Sequence, residues 1–220
     1  MAFTELEIAG ERLCPLPEKA LFWPREKTLF IADAHFGKVA AFRAAGIPLP
    51  PGSTNAALAR LNGCIEKTDA QRLVFLGDFL HSKDARARET LERFSQWRNQ
   101  HAHREMSLVR GNHDAHAGDP PGEWNMRCVD EGETMGPFCL AHHPEPDLRG
   151  YVLAGHLHPA VLMQGRANDA VRLPCFWFGA CVGVLPAFGE FTGTLTVKPK
   201  PGDKVFVAVD NVVLDVSAGG

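Results

Sequence analysis

Apolar residues fall in short runs along this chain, each closed by a turn signal, and polar stretches with helical spacing separate them. Residues 20–23 and 28–32 read as neighbouring strands across the turn Pro24-Arg25-Glu26-Lys27. Runs at 73–76, 106–109, 138–141 and 151–154 read as further strands. Each is brief and almost wholly apolar, as a strand covered on both faces should be. Three helices fall between them. The first, 38–45, is rich in alanine and ends at Gly46. The second, 54–61, follows Pro50-Pro51-Gly52-Ser53 and takes Ser53 or Thr54 as its N-cap. The third, 84–100, is capped by Asp84 and sets Leu91, Phe94 and Trp97 on one stripe among charged residues. From Val161 onward the pattern changes. Glycines and prolines multiply, no strong helix appears, and 195–197, 205–209 and 212–216 read as antiparallel strands. No repeat or low-complexity stretch interrupts the chain. The reading is β/α first and β-rich later, in one domain spanning residues 1–220.

One regularity in this pattern carries chemistry. The early strands end on polar groups able to bind metal. Residues 29–32 run into Asp33-Ala34-His35, and 73–76 into Gly77-Asp78. Residues 108–110 run into Gly111-Asn112-His113-Asp114, 138–141 into His142-His143, and 151–154 into Gly155-His156-Leu157-His158. Sites in open α/β sheets lie beyond the carboxyl ends of the strands. Five such ends converging assemble one cluster of Asp, Asn and His. Mixed imidazole and carboxylate donors suit zinc, manganese or iron rather than calcium. Two such ions about 3.5–4 Å apart can clamp a phosphoryl group and acidify a shared water. Asp78 is the candidate bridge between them. The glycines before Asp78, Asn112 and His156 let the backbone turn sharply as it leaves each strand, and two histidines two apart in an extended segment point the same way. Taken singly each motif is compatible with an ordinary polar turn; the order and the shared position at strand ends decide the reading.

Composition alters this picture little. The formal net charge is −3, which neither announces nor excludes a nucleic-acid partner, since affinity depends on local patches. Ten histidines strengthen the metal reading. Six cysteines without a CxxC pair read as small buried hydrophobes in a reducing compartment. No basic-then-apolar leader and no run near the ~18 apolar residues of a membrane span is visible, so a soluble cytoplasmic protein without a membrane partner is expected.

The joint pattern D-x-H, G-D, G-N-H-D, H and G-H-x-H, from Asp33 to His158, resembles the calcineurin-like metallophosphoesterase superfamily. The stretches DAHFGKVAAFRAAGIPLPPGST, LGDFLHSK, GNHD, GHLHP and LPAFGEFTG are similar to the bacterial ligase-associated DNA-damage-response endonucleases. The resemblance implies a four-layer α/β sandwich, with two mixed β-sheets between helical layers. It implies two divalent transition metal ions, manganese first, with iron and zinc also compatible. Asp33, His35 and His158 then hold the first ion, Asp78 bridges, and Asn112, His142 and His156 hold the second. His143 is the fallback for its neighbour His142. His113 is implied as general acid or transition-state stabiliser near the leaving group, and Asp114 as the carboxylate orienting its ring. The nucleophile implied is a metal-bound hydroxide attacking phosphorus in line. Asn112 and His113 are the implied substrate contacts, and His81, a departure from the family pattern, is a further candidate. His81 stands where many relatives carry Asp-Arg-Gly, so it is either a phosphate contact or a plain surface histidine.

The function expected is hydrolysis of a phosphodiester, with DNA as the substrate and repair partners such as a ligase or helicase implied by the resemblance alone. A phosphomonoesterase acting on nucleotides or small molecules and a catalytically silent scaffold of the same fold are the competing readings. Among the remaining polar residues, Lys38 and Arg43 lie near the first motif. Lys83, Arg86, Arg88, Arg93 and Arg98 are either backbone contacts for nucleic acid or a solvated helix face interleaved with acids. Phe176, Trp177, Phe178, Phe188 and Phe191 read as core, with an exposed ring able to stack a base. His101, His103 and His116 read as surface residues.

Overall fold

The computed structural model of the chain describes residues 3–50, 52–164 and 170–217. Two mixed sheets form its frame, as an α/β reading requires. The first takes β1 (Leu6–Ile8), β2 (Glu11–Pro15), β3 (Leu21–Trp23), β4 (Thr28–Ala32), β5 (Arg72–Leu76), β6 (Glu105–Val109) and β7 (Arg127–Val129), paired in chain order. Its first four strands run as an antiparallel meander and β4 to β7 are parallel. The second sheet contains β8 (Glu133–Met135), β9 (Phe138–Leu140), β10 (Tyr151–Ala154), β11 (Pro159–Gln164), β12 (Ala170–Phe178), β13 (Val182–Val184) and β14 (Leu195–Thr196). Their order is β14-β11-β12-β13-β10-β9-β8, and the hairpin of β15 (Lys204–Val209) and β16 (Val212–Asp215) joins along β12. Helices α1 (Lys38–Ala44), α2 (Ser53–Thr68), α3 (Arg88–Gln100) and α4 (Asn112–Ala117) all precede the strands of the second sheet.

The continuous apolar strands are explained by their alternation. Leu29 and Ile31 of β4, with Leu73 and Phe75 of β5, pack with Leu58, Leu61 and Ile65 of α2 and Phe94 and Trp97 of α3. Phe30, Ala32, Val74 and Leu76, one residue out of phase, face Phe138, Leu140 and Leu153 of the second sheet. Successive side chains of a strand point to opposite faces, so a strand between two apolar layers must be apolar throughout. Trp23 and Phe30 both meet Phe138 edge-on across this inter-sheet core, at 5.0 and 6.4 Å between centroids.

Several expectations are corrected. Helix α2 is capped by the backbone of Gly52 at φ 103°, not by the side chain of Ser53 or Thr54, and it runs on to Thr68 because the apolar stripe continues through Leu61, Cys64 and Ile65. Asp84 begins a short 3-10 turn, and α3 starts only at Arg88 with no side-chain cap. Strand β14 pairs parallel with β11 rather than antiparallel; its partner is distant in sequence and no local turn announces it. Cys14, Cys64, Cys139 and Cys175 are buried, and burial pushes the Cys64 and Cys175 thiols up to about 12. Cys181, however, is exposed. Among the described residues no helix is long and apolar enough to cross a membrane.

Candidate metal centre

The two sheets present their parallel strands to one another at the same edge. Ala32, Leu76 and Val109 end β4, β5 and β6 in register, so Asp33, Asp78 and Asn112 leave the first sheet side by side. Strands β9 and β10 are parallel neighbours in the second, so His142 and His156 leave together. The two edges are tied: Phe188 N–H donates to the Ala32 carbonyl at 2.8 Å, and His156 N–H to Asp33 Oδ2 at 2.9 Å. All seven expected donors converge there. His158 Nε2 and His142 Nδ1 lie 3.5 and 3.7 Å from Asp33 Oδ1. His142 Nε2 is 3.5 Å from Asp78 Oδ1, and His35 Nε2 is 3.8 Å from Asp78 Oδ2. Asn112 Oδ1 and His156 Nδ1 lie 2.8 and 3.1 Å from His142 Nε2.

Backbone geometry holds the donors in place. Asp33, His35, Asp78, His156 and His158 all adopt positive φ, between 45° and 68°. Residues of these types tolerate the left-handed region better than most, yet each such residue still costs on the order of 1–3 kcal/mol. Five in one site amount to concentrated strain, of the kind found where a structure over-determines a functional geometry. His156 and His158 therefore do not lie in the extended segment expected of them. The glycines serve differently from one another. Gly77, at φ 79°, does turn the chain, and a Cβ there would stand 2.1 Å from the His142 ring. Gly111 and Gly155 have no positive φ; they permit close approach, since a Cβ on Gly155 would lie 2.5 Å from Asp33 Oδ2.

Electrostatics keep His35 and His156 neutral. Burial drives His35 down to about 2, with Lys38 and the His158, His113 and His81 rings adding to it. Burial also lowers His156, helped by His142 and His143. His158 goes the other way: burial opposes its charging, and the Asp33 carboxylate outweighs that. Neutral imidazoles keep the lone pair a metal needs.

Residues 26–157 match the family model for the calcineurin-like phosphoesterase. The chain belongs to the calcineurin-like phosphoesterase family. Across 98% of its length it is similar to Pseudomonas putida nuclease MPE, at 39% identity and a TM-score of 0.87, covering 100% of that chain. A weaker likeness, 16% identity and TM-score 0.40 over 86% of this chain and 92% of the other, links it to Yfce, a phosphoesterase from E. coli, and carries no argument. No curated protein matches the sequence. The chain is a metal-dependent phosphoesterase, and the donor set fits that chemistry. Asp33 Oδ1, His35 Nδ1 and His158 Nε2 are buried without a hydrogen-bond partner among the described residues. Buried polar atoms are almost always paired. Three-donor groups Asp33–His35–His158 and Asp33–Asp78–His142 each lie within 4.8 Å.

Around this phosphoesterase centre some expected roles change. Asp114 does not orient His113. Its oxygens accept the backbone N–H groups of Phe79 (3.0 Å) and Gly111 (2.9 Å), fastening the second motif to the third. His113 Nδ1 instead lies 2.6 Å from the His81 carbonyl, and the two rings stack at 5.1 Å and 24°. His81 is thus no plain surface residue, and burial lowers it to about 4. His143 lies beside His142 and His156, and its Nδ1 is 3.0 Å from Glu131 Oε1. That carboxylate also accepts the N–H groups of His142 and His143, both at 2.7 Å. Glu131 was not legible as a site residue; an acid before a turn carries no signal of its own. Lys38 lies at the start of α1 over the Phe42 ring; burial lowers it, while Asp78 and Asp33 act to raise it.

The basic residues near α3 are mostly engaged. Arg86 donates to the Ala117, Gly118 and Asp119 carbonyls, and buried Arg98 to that of Trp124. Arg88 and Arg93 pair with Glu92 and Glu89 on the helix face. Phe176, Phe178 and Phe188 are core, and Phe191 is exposed, as an aromatic-rich stretch with one free ring. His101 is half-buried against Trp97 and Asn62 rather than on the surface.

Proposed function

We propose that this phosphoesterase hydrolyses phosphodiesters with two divalent ions, manganese first, and that its substrate is DNA. The observation that carries the reading is the likeness over the full chain to a nuclease, joined to a donor set with every expected position filled. Asp33, His35 and His158 would hold one ion, Asn112, His142 and His156 the other, with Asp78 between them. Bound there, the ions would supply Lewis acidity for the phosphoryl group and an acidified water.

The chain's own part is positioning and proton transfer. A carbonyl only accepts, so the contact with His81 fixes the proton of His113 on Nδ1. His113 Nε2 then faces the centre, 3.9 Å from Asp78 Oδ2, free to hold a proton for a departing alkoxide. His113 N–H donates to Asp78 Oδ1 at 2.9 Å, so the acid and the bridge move together. Asn112 is exposed at the same edge and can meet a phosphoryl oxygen. A role beside ligases or helicases in repair draws its support from the sequence resemblance.

The test pairs elemental analysis with rates on bis-p-nitrophenyl phosphate, p-nitrophenyl phosphate and single-stranded oligonucleotides in manganese. Diester preference and oligonucleotide cleavage are expected. Clear monoester preference with intact oligonucleotides would favour the phosphomonoesterase instead.

A further inference from the structure

A cavity of about 550 Å³ opens beside the His143–His156 edge of the centre, where no role has been assigned. Pro144, directly after His143, and Leu157, between His156 and His158, line it and join it to the donor segments. The lining also includes Trp177 at the end of β12 and Cys181 before β13, with Lys198 and Lys200 beyond β14. The lining is chiefly apolar, and its volume lies within the range of small-molecule sites.

Its polar groups are arranged unevenly. Trp177 Nε1 donates to Asp203 Oδ2 at 2.8 Å, and the Lys200 N–H donates to the same oxygen at 2.8 Å. The acid of the groove is thus taken up in fixing the indole and the strap that bears the lysines. The lysine ion pairs among the described residues are Lys27–Asp69 and Lys67–Glu18. Lys198 and Lys200 are exposed and make none.

We propose that this groove is the track for the unpaired nucleotide next to the scissile phosphate. Sugar and base lie along Leu157 and Trp177, and the following phosphate pairs with Lys198 and Lys200. Lining residues next in the chain to His143, His156 and His158, two uncommitted cations and an aromatic, largely apolar lining are what a single strand requires. The inference rests on the nuclease reading.

Cys181 offers a probe, being the exposed thiol in this wall. The metal-loaded protein is treated with a bulky maleimide, and modification at Cys181 is followed by peptide mass spectrometry. At least a tenfold loss of oligonucleotide cleavage is expected, with bis-p-nitrophenyl phosphate hydrolysis unchanged. Cys181→Ser protein treated alike keeps both activities. Lys198→Ala/Lys200→Ala should raise KM for a 20-nucleotide single strand about tenfold and reduce the slope of log KM against log salt by about 1.4, the share of two phosphate contacts on a single strand. Wild-type behaviour of both the labelled enzyme and the lysine variant on oligonucleotides would overturn the groove while leaving the nuclease reading intact. Bis-p-nitrophenyl phosphate hydrolysis by the unmodified wild type with no oligonucleotide cleavage overturns the nuclease reading, and the groove with it.

Discussion

Asp78 meets His35, His142 and the His113 N–H through its two oxygens. Asp78→Ala should therefore lose both bound metal and activity, read by elemental analysis beside turnover. His113→Ala should keep metal and lose about 10²–10⁴-fold in kcat, the usual contribution of a positioned acid. A variant losing metal along with activity would make His113 a structural residue. Asp114 gives a pH signature in metal-free protein. Burial raises its carboxyl to about 6; the Gly111 N–H acts against that, and Asp78 adds to it. Between 3.8 and about 6 the folded chain keeps a proton that the unfolded chain has released. Stability falls as pH rises through that window, by on the order of 1–3 kcal/mol, and is flat above it. In urea melts the advantage of wild type over Asp114→Asn should be largest near pH 4 and smaller at 6.5; a constant gap contradicts this. At this scale residue types were legible, because each donor follows an apolar run. Partners were not. That Asp114 clamps backbone, and that a carbonyl rather than a carboxylate holds His113, depends on loops brought together from 35 and 32 residues apart.

Strands β4, β5 and β10 were readable because burial on both faces leaves an apolar run after the first residue, and β6 was readable as a mostly apolar run despite Ser107. Strand β12 was not, since Arg172 and Pro174 break its pattern and much of it is exposed. Helix α4 hides inside the third motif: six residues long and mostly polar, it has no periodicity to read. Glycines inside and just beyond the elements separate two kinds of substitution. Gly63 lies within α2 at ordinary φ with open space around it. Gly63→Ala should stabilise the fold by about 0.5–1 kcal/mol in a thermal melt, with activity unchanged. Gly155→Ala drives a methyl against Asp33 Oδ2, Ala32 Cβ and the Leu76 carbonyl. It should lower metal content and activity together, and full activity would show that this contact yields easily.

The two sheets meet over one apolar layer, and Phe138 is fully buried at its centre against Trp23 and Phe30. Phe138→Ala should cost about 3–5 kcal/mol and weaken metal retention as well, because His142 leaves the same strand; unfolding midpoint and metal content measure the two effects. Metal stabilises whatever state binds it, so stripping ions with a chelator should lower the melting temperature, and Asp78→Ala should respond far less. The two-sheet architecture was not legible from periodicity, since pairings such as β14 with β11 and β15 with β12 join distant segments. The same seam bears on how the molecule comes into being. Asp33, His35, Asp78 and Asn112 belong to the first sheet's edge, and His142, His156 and His158 to the second's. A nascent chain emerging from the ribosome holds its first four donors while the last three are still unsynthesised. Hydrolytic competence is thereby withheld until the second sheet has docked, and a half-made or misdocked chain is a harmless one.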